Sequence, residues 1–169
     1  MRISKLTVFI VFFIIVSASF MRQVMGFVEG YLGERGAAFI IGLIILFSAL
    51  AFLIFVFKNH PDIKKNLAIV LFLAIGIILS WQIKMPAERI HILEYGILGW
   101  FAGRDLTAEN KKCRGFIFAW LLIITVGIFD EAFQKILPYR VGDSRDIFFN
   151  NLGGLWGIGL WFLKNKLNG

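Results

Sequence analysis

The stretch AAFIIGLIILFSALAFLIFVF, residues 37–57, runs for 21 residues without a charged side chain. An α-helix needs roughly 17–25 such residues to cross a ~30 Å hydrocarbon core at ~1.5 Å per residue, so this run predicts a membrane span. Five more apolar runs surround it: Leu6–Met21, Leu67–Ile83, Ile90–Ala102, Gly115–Phe133 and Ile147–Leu163. The fourth is short and carries His91 and Glu94. It counts as a span when its helix begins at Glu88 and its polar groups face other helices, as ionisable side chains in membranes do. The fold expected is all-α, a polytopic transmembrane helical bundle of about six spans.

The first run admits a second reading. MRISK, an apolar stretch and then Val16-Ser17-Ala18-Ser19 also fits a secretory signal with small residues near a cleavage site, which would leave five spans. The apolar core is long for a signal, and the expectation here is a retained span. Between the first two spans, Arg22–Gly36 mixes Gly26, Gly30, Gly33 and Gly36 with Phe27, Val28, Tyr31 and Leu32, a composition suited to a loop lying along the headgroups.

Composition agrees with this reading. The 169 residues are 59% hydrophobic, against roughly 45–50% in ordinary soluble domains. Most of the nineteen Phe, five Trp and three Tyr lie within or at the ends of the apolar runs, where aromatic residues anchor helices at the bilayer interface. The chain reads as one membrane domain, 1–169. Its net charge of +7 does not indicate nucleic acid, because the 18 Lys and Arg fall between apolar runs and form no basic stripe. Cys113 is the single cysteine, which excludes an intramolecular disulfide and a cysteine-based metal cluster.

With six alternating spans, eleven of the 18 basic residues fall on the side of both termini and seven on the other. The positive-inside rule then puts both termini in the cytoplasm. The acids go the other way: Glu29, Glu34, Glu88, Asp130, Glu131, Asp143 and Asp146 gather toward the outer side. Acidic residues contribute little to topology, so this asymmetry points to what the outer face does.

Three helix ends meet at that face. At ~100° per residue, Glu88, His91 and Tyr95 share one side of the fourth helix, while Glu94 lies about 60° from His91 and is left undecided. Asp130, Glu131 and Gln134 form a stripe at the outer end of the fifth. On the sixth, Asp146, Asn150, Gly153 and Gly157 make a seam in which two polar groups continue into glycines, a spacing that lets a neighbouring backbone approach closely. The link between the fifth and sixth helices contains Pro138, Arg140 and a Gly142-Asp143-Ser144 turn able to cap the next helix. Interfacial placement accounts for Arg89, Lys135, Asp143 and Arg145. For His91, Glu131, Gln134, Arg140, Asp146 and Asn150 a polar pocket is the preferred reading, with internal pairing, such as Arg140 with Asp146 or Glu131, as its competitor.

The order Glu88-x-x-His91-x-x-x-Tyr95-x-x-Leu98-Gly99, Asp130-Glu131-x-x-Gln134-x-x-x-Pro138-x-Arg140 and Asp146-x-x-x-Asn150-x-x-Gly153-x-x-x-Gly157 resembles the VanZ-like family of membrane proteins. The resemblance covers Lys84 to Leu163, a VanZ-like core, and leaves residues 1–83 as three N-terminal spans without a recognisable motif. Where the family often has Pro-Gly-Arg, this chain has Pro138-Tyr139-Arg140. The resemblance implies a multi-pass protein of the bacterial cytoplasmic membrane. It also implies a link, for the family's namesake, to low-level resistance to the glycopeptide teicoplanin. It brings no established reaction.

Several functions compete. An outer-leaflet pocket could bind or modify an anionic lipid, a cell-wall precursor or a lipid-tailed glycopeptide, with Arg140 as the anion grip and Gln134, Asn150, Tyr95, Glu88 and Asp130 completing the ligand site. An intramembrane hydrolase or transferase would use Glu131 or Asp146 as base and His91 as acid, but no nucleophile is evident. The third alternative is a structural or assembly protein whose polar residues pair internally. A metal site from His91, Glu131 and Asp146 lacks a paired ligand motif, and no metal or cofactor is expected. Membrane lipids are the expected partners, and no oligomeric state is implied.

Overall fold

A computed structural model describes residues 3–59, 63–83, 86–107, 112–138 and 144–167, with the side chains of some helix-end residues, Glu88 among them, outside that description. Six helices account for nearly all of it, and no strand occurs among the described residues. They are α1 (Lys5–Ser17), α2 (Met21–Asn59), α3 (Ile63–Trp81), α4 (Pro86–Thr107), α5 (Lys112–Ile136) and α6 (Ser144–Leu167).

Two helices, Met21–Lys58 and Cys113–Ile136, are long and apolar enough by themselves to cross a membrane. Such helices fit the membrane reading of the sequence. The other four fall short for separate reasons. Helix α1 and the Asn66–Ile78 part of α3 are apolar but short. Helix α4 has the length but carries Glu88, Arg89, His91 and Glu94 in its first turns, and α6 carries Arg145, Asp146, Asn150 and Asn151.

Two stretches differ from expectation. The first apolar run was expected to continue to Met21, yet α1 stops at Ser17 after 13 residues, a length of about 20 Å. Hydroxyls of Ser17 and Ser19 donate to the carbonyls of Ile14 (2.9 Å) and Val16 (2.6 Å), the local competition by which serine disfavours helix continuation. The stretch Arg22–Gly36 is helical over most of its length and breaks at Gly33, whose φ of 70° suits glycine. No atom would obstruct a Cβ there, so the backbone angle alone selects glycine at this corner.

The centre of the fold is the pair α4 and α6, which run parallel with α5 against both. A Cβ on Gly153 would lie 2.6 Å from the Ile92 carbonyl oxygen, and one on Gly157 or Gly99 would collide with the backbone of Gly96 or Gly154. Backbone packs on backbone here, as the Gly153 and Gly157 spacing predicts. Tyr95, Leu98, Ala119, Ile123 and Ile158 form the adjoining core, to which α1 adds Ile14.

The exterior inverts the pattern of a soluble protein. Phe9, Phe12, Phe39, Phe47, Phe129 and Phe148, from α1, α2, α5 and α6, are 61–67% exposed, while Asp130, Glu131, Gln134 and Asn150 are at most 2% exposed. The start of α1 and the last turns of α6 lie together at the end of α4. The Ser4 amide donates to Asp105 at the end of α4 (2.7 Å), and the Trp161 indole late in α6 donates to Thr107 (2.9 Å). The opposite end holds the polar residues.

Candidate functional site

Asp130 is the hub of the buried polar cluster. Its two carboxylate oxygens accept from the Tyr95 hydroxyl on α4 (3.1 Å) and from the Gln134 amide one turn along α5 (2.9 Å). The i, i+4 spacing of Asp130 and Gln134 makes the second bond a property of the helix, whereas the first ties α5 to α4. Asn150 approaches from α6. A Cβ at Gly127 would lie 3.6 Å from Asn150 Cβ and 3.8 Å from the Tyr95 ring, so this glycine leaves room for side chains from both neighbouring helices. The Asn150 carbonyl oxygen is buried and has no hydrogen-bond partner among the described residues. That is an uncompensated acceptor of the kind that folded proteins seldom keep without a use.

The acids gather around this hub. Glu131 is 2% exposed, with one oxygen 3.9 Å from the Lys135 ammonium, which itself faces outward. His91 stands one turn before Tyr95 and Glu94 immediately before it, with His91 Nδ1 3.9 Å from a Glu94 oxygen. Glu94, which helical angles alone left undecided, therefore belongs beside His91. Asp146 occupies the first turn of α6, where a carboxylate is favoured by the helix dipole, one turn before Asn150. Arg140 lies outside the described residues, as does the side chain of Glu88.

The VanZ/LLP1 family model matches residues 2–165. This chain belongs to the VanZ/LLP1 family. No curated protein and no solved structure matches it. The family match extends well beyond the Lys84–Leu163 core on which the resemblance rests and takes in α1 to α3.

Within this VanZ/LLP1 chain the motif residues have separable physical jobs. Gly99, Gly153 and Gly157 bring α4 and α6 into backbone contact, and Tyr95, Asp130, Gln134 and Asn150 fill the layer beside that contact. Gly96 and Gly127 went unassigned in the sequence. Gly96 has a readable signal, standing three residues before Gly99 on a helix facing another glycine pair.

Two features lie away from the motif. Where α1 begins, beside the end of α4, Asp105 accepts from the Ser4 amide, the Thr7 hydroxyl (2.6 Å) and the Arg104 guanidinium (2.8 Å). Burial raises the cost of its charge, but these hydrogen bonds outweigh it and hold the carboxyl below its ordinary value. Nothing in the apolar pattern of the first run marked Thr7 as the anchor. The second feature is a cavity of about 460 Å³ between α2, α3, α4 and α6, lined by none of the motif's polar residues.

Proposed function

We propose that this VanZ/LLP1 protein is a multi-pass membrane protein of the bacterial envelope, with about six membrane-embedded helices and both termini in the cytoplasm. In this reading the Tyr95–Asp130–Gln134–Asn150 layer, toward the outer leaflet, recognises the head of an anionic amphiphile. The observation that carries the proposal is the burial of five polar side chains, Tyr95, Asp130, Glu131, Gln134 and Asn150, inside a bundle whose outer surface is phenylalanine. An acid in a spanning helix costs ~2.5–3.5 kcal/mol on insertion scales, so a layer holding two of them is expensive unless it performs a task.

The chemistry of the layer narrows the ligand. Asp130, Glu131 and the Asn150 side-chain oxygen, which has no partner among the described residues, are acceptors suited to hydroxyl or amino groups, and Arg140, nine residues after Glu131 in sequence, would bring the planar fork that grips a phosphate or carboxylate. An amphiphile with an anionic group next to hydroxyls or amines meets both requirements. Anionic lipids, lipid-linked cell-wall precursors and lipoglycopeptides of the teicoplanin type are the classes that do so. Binding a member of the last two is the route by which this chain would contribute to glycopeptide tolerance.

An enzymatic reading draws on the Glu94 carboxylate 3.9 Å from His91 Nδ1, a separation that must shorten before the carboxylate can orient the imidazole for proton transfer. In that case Glu131 or Asp146 is the base in a hydrolase or transferase.

Native mass spectrometry of protein gently extracted from its own membrane tests the binding reading. The wild type is expected to retain an anionic amphiphile that Arg140→Ala loses and that Arg140→Lys holds more weakly, since a point charge does not reproduce the fork. Identical profiles for all three proteins would refute it. Conversion of the retained amphiphile by wild type, abolished in Glu131→Gln, would favour the enzyme.

A further inference from the structure

The cavity of about 460 Å³ lies on the side of α4 opposite Tyr95 and falls within the roughly 300–1,000 Å³ of ordinary ligand pockets. Its walls are almost wholly apolar, with Phe52, Leu73, Ile77, Leu93 and Leu160 among them. Ser80 carries the only hydroxyl among the described lining residues, and it already donates to the Ile77 carbonyl (2.8 Å). Between the cations at its ends the lining offers a peptide segment almost no acceptors for its backbone N–H groups, which makes a hydrocarbon chain the better occupant. Ile97 and Phe55 also line the cavity and are 42% and 47% exposed, so it opens sideways onto the apolar exterior.

Cations stand at both ends. Arg89, at the end near the polar layer, is engaged: it donates twice to the Ile83 carbonyl (2.7 and 2.9 Å) and stacks over Trp81. At the other end Arg104 is paired with Asp105. Lys164 is different. Its ammonium lies 5.0, 5.4 and 5.6 Å from the ring centroids of Phe55, Trp100 and Trp161, and it has no ion pair among the described residues. Rings attract a cation through their quadrupoles but do not neutralise it. Lys164, Arg104 and Asp105 together leave one positive charge at the mouth.

We propose that this cavity holds an acyl chain of an anionic membrane lipid from the leaflet at the end where α4 and α6 finish, with the lipid headgroup against Lys164 and Arg104. The span from Arg104 to Arg89 is about 22 Å along α4, ample for the ~15 Å that one leaflet's chains occupy. The proposal rests on the membrane reading above, and not on the ligand assigned to the polar layer.

Trp100, Trp156 and Trp161 line the cavity and report on its occupant in a background in which the other two tryptophans, the exposed Trp81 and Trp120, are replaced by Phe. The full chain is reconstituted in phosphatidylcholine vesicles containing equal mole fractions of either brominated phosphatidylglycerol or brominated phosphatidylcholine, and tryptophan quenching is compared. The anionic lipid should be preferred on the order of fivefold, the effect of one basic residue near a membrane surface. The preference should fall toward unity in Lys164→Gln and survive in Lys164→Arg. Equal quenching by the two lipids in wild type would overturn the lipid site while leaving the membrane reading intact. No quenching by either would overturn both.

Discussion

Asp105 and Asp130 are both shielded carboxylates on helices of the same core, and they are satisfied in different ways. Asp105 has a counter-ion in Arg104 and hydrogen bonds from Ser4 and Thr7, so its charge is compensated within the fold and clasps α1 to α4. Asp130 has two neutral donors, an acid as its chain neighbour and no ion pair among the described residues. The contrast separates a structural clasp from a layer with acceptor capacity to spare. It also predicts that damage at the two ends will show up in different measurements.

The largest effect is expected at the seam that supports both ends. Gly157→Leu drives a side chain into the Gly96 backbone, which has no flexible group to yield, so the cost should meet or exceed the ~1–3 kcal/mol typical of overpacking. Loss of the monodisperse folded protein in detergent would bear this out. Wild-type stability in that variant would mean that α4 and α6 do not touch through glycine.

Next comes the hub of the layer. Asp130→Ala removes the acceptor of the Tyr95 hydroxyl and one bond of the Gln134 amide, and a buried hydroxyl left unsatisfied costs ~1–3 kcal/mol, whereas Asp130→Asn keeps one acceptor and should lose less. Thermal unfolding in detergent ranks the two variants, and equal losses would show that the hydrogen bonds are not the source of the effect.

A smaller and more local effect is expected at the clasp. Asp105→Asn should speed hydrogen exchange in α1 while leaving α5 and α6 unchanged. The folded carboxyl titrates below its ordinary value of 3.8, so the unfolded chain takes up a proton first as pH falls. The clasp's contribution is therefore complete above that value and is lost as pH drops through the lower, folded value. Faster α1 exchange at mildly acidic pH, in the range 5 to 6, would contradict this order.

Much of the molecule could be read from residue spacing. The six helices follow from the apolar runs, and helical angles put Gln134 one turn from Asp130 on α5 and Asn150 in line with Gly153 and Gly157 on α6. Those angles settle which residues share a face, because the helix repeat is fixed. What they leave open depends on distance between elements. Glu94 needed the actual His91 rotamer to place it, and the Thr7–Asp105 contact joins residues 98 positions apart with no periodicity to announce it. The corner at Gly33 was hidden for another reason: four glycines in Arg22–Gly36 were equally able to break the helix, and only one does.

The smallest expected change in stability sits beside the largest expected change in binding, at Asn150. Its side-chain oxygen has no partner to lose among the described residues, so Asn150→Leu, which keeps the shape, should leave unfolding nearly unaltered. The direct test is to extract this variant and the wild type from the same membrane, confirm matching melting temperatures, and compare the amphiphiles that co-purify. The account predicts an anionic amphiphile held by wild type and absent from the variant. The same amphiphile at the same occupancy in both would show that the polar layer serves the fold and not a ligand.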